Sequence, residues 1–148
     1  MRDVWNENFE RQSTLTKFQI ALALAHVDGF DTGKEPYQSV NALIVLRNAI
    51  VHPKTIFGDK VEEQRLLKCL RGKFTFREPK SRNHALFPDS ILTSECAAWA
   101  LVAVLRFLNN FNQKLPPSAR LITLDFKTRL AEAEHFQLQR SSEKTPFA

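Results

Sequence analysis

The sequence predicts an all-α protein, an antiparallel bundle of four or five helices, on three observations. Apolar residues recur at three- and four-residue spacing through most of the chain. Residues that start and stop helices stand at the ends of those stretches. Only 4 Gly and 7 Pro occur in 148 residues, too few for a loop-rich or disordered chain. The length suits a single domain with a real core. That core is expected over about 10–112, with 113–148 as a C-terminal extension.

Each element has its own signal. Leu15, Phe18, Leu22 and Ala25 mark a first helix, and Asp28-Gly29 is expected to end it through a left-handed glycine. Pro36 suits the first turn of a second helix, which Val40, Leu43, Ile44, Arg47 and Ile50 carry to Pro53. Asp59 is placed to cap a third, with Glu62 three residues on and Gly72 as its stop. The basic, aromatic stretch KFTFREPKSRNHALFPDS is expected to be a long connection that packs rather than flaps. A fourth helix starts near Thr93 or Ser94. Ala97, Leu101, Val104, Leu108 and Phe111 form its apolar stripe, widened by Trp99, Val102 and Leu105, so it is expected at the centre of the bundle. After QKLPPS, RLITLDF alternates like a strand, and KTRLAEAEHFQLQR reads as a fifth helix.

Composition removes several classes of function. The first ten residues, MRDVWNENFE, contain no apolar h-region, so no secretory signal is expected. The longest apolar run, Cys96 to Leu105, is about half a membrane span, so no membrane association is expected. Cys69 and Cys96 form no CxxC and no Cys/His cluster, which predicts a reducing, cytoplasmic setting with neither metal nor cofactor. The net charge of +5 is local. Lys60 to Arg82 holds 8 cationic and 3 acidic residues, and the rest of the chain carries 13 of each. Such a patch suits nucleic acid, with Lys54, Lys68, Arg71, Lys73, Lys80 and Arg82 as candidate phosphate contacts. A solvated basic loop explains the charge equally well.

The stretch LIVLRNAIVHPK carries the candidate chemistry. Asn48 and His52 are four apart and share a helix face, with Arg47 on the adjoining face. Pro53 disfavours the α conformation at His52, which lets the imidazole leave the helix axis. A guanidinium, an amide and an imidazole can then converge on one small anion. RNA cleavage without metal needs such groups: imidazole to take the proton of the attacking 2′-hydroxyl, Arg to stabilise charge on the phosphorane, and an amide to orient either. The same residues also suit plain helix termination, because a His at a helix C-terminus is favoured by the dipole alone.

Arg47, Asn48 and His52 match one for one the motif of the HEPN superfamily, which is Arg, a polar residue, three residues, then His. The chain resembles that superfamily over roughly Leu15 to Phe111, including FPDSILTSECAAWALVAVLRFLNNF, and looks like one bacterial branch of it. The resemblance implies a helical bundle that dimerises with its motifs face to face. In active members it implies metal-independent endoribonuclease activity in toxin, phage-defence or CRISPR-linked roles, with RNA as substrate and a protein antitoxin or regulator as a further partner. Inactive members are binding or regulatory modules. A basic helical protein that binds nucleic acid through Lys60 to Arg82 is the reading from outside the family. Toxins of the branch paired with a nucleotidyltransferase antitoxin carry a Tyr two positions after the His. Here Pro53 and Lys54 follow His52, which puts silencing by nucleotide addition in doubt.

The remaining candidates weigh less. His26 reads as a surface or packing residue, His84 as part of an ordinary loop, and His135 has no role. Phe74, Phe76 and Phe87 are expected to close the bundle rather than stack bases, with Trp99 in the core and Glu95 acting through the helix dipole.

Overall fold

The computed structural model describes residues 9–52, 60–77, 87–120 and 125–142. Among these residues the chain is helical, with no strand: α1 Thr14–Leu24, α2 Tyr37–Val51, α3 Lys60–Leu70, α4 Ser94–Lys114, a short 3₁₀ turn Pro117–Ala119, and α5 Phe126–Ser142. The all-α expectation is met. The strand-like alternation of RLITLDF falls largely on 121–124, outside the described residues.

Local chemistry sets most helix ends. Ser13 caps α1 by accepting the Thr16 N–H at 3.2 Å, and Thr93 caps α4 by accepting the Cys96 N–H at the same distance. Asp125 caps α5 through Oδ1, which accepts the Thr128 N–H at 3.1 Å. Hydrogen bonds from the Thr128 hydroxyl and then from its N–H hold the Asp125 carboxyl below its ordinary value. The expected cap at Asp59 lies outside the described residues. Gly72 stops α3 as expected, with φ +76°. The end of α1 differs from expectation. The helix stops at Leu24, and His26, with φ 55°, takes the left-handed position, not Gly29. His is among the residues that enter that region more readily than most. Gly29 has another use. A Cβ there would lie 2.6 Å from Gln19 Oε1, and Gln19 holds the Phe30 backbone at both its N–H and its carbonyl.

The core has two parts. The first joins α1 to α2 and α4 through Leu15, Leu22, Phe30, Val40, Phe107 and Phe111. Phe18 meets Phe107 and Phe111 edge-on, with centroids 4.9 and 4.8 Å apart, and Phe30 stacks on Phe107 at 4.5 Å. The second joins α2, α3 and α4 through Leu46, Leu66, Leu70, Ile91, Cys96 and Trp99. Phe87 is buried within it and Phe74 and Phe76 pack against it, so the described aromatics of the connection close the bundle. Helix α5 lies along α4 more extensively than any other pair, tied by the Arg106–Glu134 ion pair.

The buried face of α4 departs from expectation. Cys96, Ala98, Trp99, Val102, Ala103, Phe107 and Phe111 are buried, whereas Ala97, Leu101 and Val104 are exposed. In a single chain α4 is therefore not enclosed on all sides.

Candidate functional site

The carboxyl end of α2 is built from alternating faces. Ala42, Leu46 and Ala49 turn into the core, which leaves Arg47 and Asn48 in solvent. Arg47 Nη1 donates to Asn48 Oδ1 at 3.1 Å, so guanidinium and amide are held side by side. His52 is the C-cap residue. Its backbone, at φ −122° and ψ 61°, has left the helix, as expected before a proline. Its N–H still donates to the Asn48 carbonyl at 2.8 Å, and its imidazole is exposed. The three motif residues thus share one helix end, with Asn48 bonded to the other two.

Beside them runs an apolar groove of about 380 Å³ between α2 and the start of α4. Leu43, Ile50, Val51, Leu92, Ala97 and Ala100 line it together with Arg47 and the Thr93 cap. Ile50, Val51 and Leu92 are about half exposed (46, 49 and 47%), and Leu101 of α4 is exposed to 51%. Three large apolar side chains half in solvent along one groove make a patch of the kind that marks an interaction surface, and Leu101 adds exposed apolar surface on α4. Sequence reasoning missed this surface because it assigned Leu101 and Val104 to the core.

Among the described candidate phosphate contacts, Lys68, Arg71 and Lys73 stand at the close of α3, away from this end. Helices α2 and α3 are antiparallel, so the close of α3 meets the start of α2. Lys73 ion-pairs with Glu35 at 2.5 Å and also donates to Ser39 Oγ at 3.2 Å. Ser39 lies thirteen residues before His52, which is about 20 Å along the helix axis. Lys73 is therefore engaged within the chain and stands far from the motif. Lys68 and Arg71 are exposed close to it, at the end of α3. Lys54, Lys80, Arg82 and His84 lie outside the described residues.

Electrostatics separate the two ends further. Burial pushes the Glu35 carboxyl up, but hydrogen bonds from Lys73 and Ser39 and the Lys73 charge outweigh it and leave the group below its ordinary value. Burial raises both Cys69 and Cys96 above the usual thiol range, so both are packing residues rather than reactive thiols. Among the described residues no three His, Cys, Asp or Glu side chains gather as a metal-binding set, and no helix is long and apolar enough to cross a membrane. Sequence reasoning also missed the Glu35–Ser39–Lys73 cluster. Glu35 and Lys73 are 38 residues apart, and no spacing rule joins them.

Comparison with known protein families, with curated proteins and with solved structures finds no match.

Proposed function

We propose that this chain is a HEPN-type, metal-independent endoribonuclease that works as a homodimer through its motif face. The observation that supports the reading is the joint exposure of Arg47, Asn48 and His52 beside an uncovered apolar groove. Each chain carries a single motif His, whereas RNA cleavage uses a base and then an acid. A two-fold axis beside the groove supplies the second His52, and an isologous interface requires only one gene.

In this mechanism one His52 accepts the proton of the 2′-hydroxyl as its oxygen attacks the adjacent phosphorus. The other His52 donates a proton to the departing 5′-oxygen. Arg47 carries the phosphorane charge through two planar N–H groups. The products are a 2′,3′-cyclic phosphate and a 5′-hydroxyl. Such an enzyme belongs in the cytoplasm, in a toxin or phage-defence setting, with a protein antitoxin or regulator to restrain it.

The test is cleavage of mixed RNA by wild type, His52→Ala and Arg47→Lys, with and without chelator. Wild type is expected to cleave in chelator. His52→Ala is expected to lose about 10²–10⁴ in rate, the usual worth of acid–base catalysis. Arg47→Lys is expected to fail as well, because a point charge does not replace a planar fork. Wild type that dimerises but cleaves nothing would make the chain a non-cleaving binding module. Equal cleavage by His52→Ala would make the motif a helix end and nothing more.

A further inference from the structure

A second cleft sits at the other end of α2. It has a volume of about 250 Å³ and lies where the start of α2, the turn after α3, the middle of α4 and the end of α5 meet. One side is apolar, with Trp99, Val102 and Ala103; the other carries Glu35, Ser39, Lys73, Arg106 and Gln137. Both cations are already paired, Lys73 with Glu35 inside the cleft and Arg106 with Glu134 at its edge, so an anion would be held by donors left over from those pairs rather than by a net positive charge.

The cations keep donors in reserve. Lys73 uses two of its three N–H groups, on Glu35 and Ser39. Arg106 directs both Nε, at 2.8 Å, and Nη2, at 2.7 Å, to a single oxygen of Glu134. Its remaining nitrogen, Nη1, has no partner among the described residues. The end-on edge of the guanidinium is thus open, the geometry that grips a carboxylate or phosphate through two N–H groups. Ligand pockets typically run from about 300 to 1,000 Å³, so the occupant here is smaller than a drug-sized molecule.

We propose that this cleft binds a small organic anion, a carboxylate or phosphate monoester on an apolar ring or short chain. Arg106 and Lys73 hold the charged group, and Trp99 and Val102 receive the apolar body. The site stands about a helix length from His52 and involves none of the motif residues. Its test needs no RNA, so it stands or falls separately from the nuclease reading.

The chain has two tryptophans, so Trp5→Phe leaves Trp99 as the sole indole. This protein is titrated with phenyl phosphate, benzoate and inorganic phosphate, and Trp99 emission is followed. The indole N–H resonance of Trp99 is followed in parallel, with every cleft side chain intact. The expected result is a saturable change with both aromatic anions, weakened about tenfold or more in Arg106→Gln, as loss of a charged hydrogen bond requires. Inorganic phosphate is expected to compete far less well. Arg106 is largely exposed, and a thermal melt confirms that the variant folds. Three results would each overturn the proposal: no saturable change in either signal up to about 10 mM, a dissociation constant above the millimolar range; undiminished binding in Arg106→Gln; or inorganic phosphate competing as well as the ring-bearing anions.

Discussion

Around α1, Phe18, Phe30, Phe107 and Phe111 interlock with centroids under 5 Å apart, and the Gln19 amide ties the following loop to the helix. At the other end of α2, Ile50, Val51 and Leu92 stand half in solvent around an open groove, and Leu101 of α4 is exposed as well. The two regions use the same material, apolar side chains on α2 and α4. They differ in whether the chain supplies a cover. Helix α1 covers the first region. Over the second, the described residues leave the groove open, and a partner surface would bury what is now exposed. Arg47 lines that open side, and Asn48 and His52 are exposed at the same helix end.

Substitutions in the two regions should therefore behave differently. Phe107→Ala removes a ring at the centre of the aromatic cluster and should cost about 3–5 kcal/mol, a fall in Tm on the order of 10 °C. Leu101→Ala, measured at concentrations too low for association, should cost less than about 1 kcal/mol, because half of that side chain is already in water. Thermal melts of both variants under matched conditions decide the contrast. Similar losses would mean that the open region is not open.

A smaller effect is expected at the end of α3. If RNA reaches Lys68 and Arg71, replacing both with Gln should flatten the plot of log affinity against log salt. The slope should fall by roughly 0.7 for each single-strand phosphate that is no longer neutralised. Lys73→Gln should leave that slope unchanged, because the Lys73 side chain is only 21% exposed, set within the second cleft beside Glu35 rather than on the open surface. Binding titrations over a salt series separate the two cases.

The smallest effect concerns Glu35. Its carboxyl lies below the ordinary 4.5, so the Lys73 pairing stabilises the fold above that pH and is lost as pH falls through the lower folded value. The side chain is 56% exposed, so screening limits the contribution to less than about 1 kcal/mol. Glu35→Gln should be slightly less stable than wild type at pH 7, and the gap should narrow as pH falls below 4.5 and through the lower folded value. Urea melts across pH 3–7 measure this.

Much of the fold was legible because helix ends are local chemistry. Thr93 as a cap and Gly72 as a stop follow from one or two side chains each. The burial of Leu15 and Leu22 follows from spacing alone. The motif was legible for a similar reason, since four residues are about one helical turn and Pro53 sets the backbone of His52. The buried face of α4 was not legible. That helix is apolar nearly all round, so periodicity offers no contrast, and the face is chosen by α2, α3 and α5, whose positions are long-range facts. The left-handed turn at His26 was hidden because a glycine stood nearby as the more usual candidate. The Glu35–Ser39–Lys73 cluster depends on α2 and α3 running antiparallel with the end of one beside the start of the other. Local sequence does not encode that register.

The most direct test of an uncovered half completed by a second copy is molecular mass in solution. Sedimentation equilibrium at micromolar concentration should give wild type twice the 17.0 kDa of one chain. Leu101→Glu, which puts a charge on the exposed apolar face, should give a folded species of 17.0 kDa. Wild type sedimenting as a single chain, or Leu101→Glu remaining fully dimeric, would contradict the account.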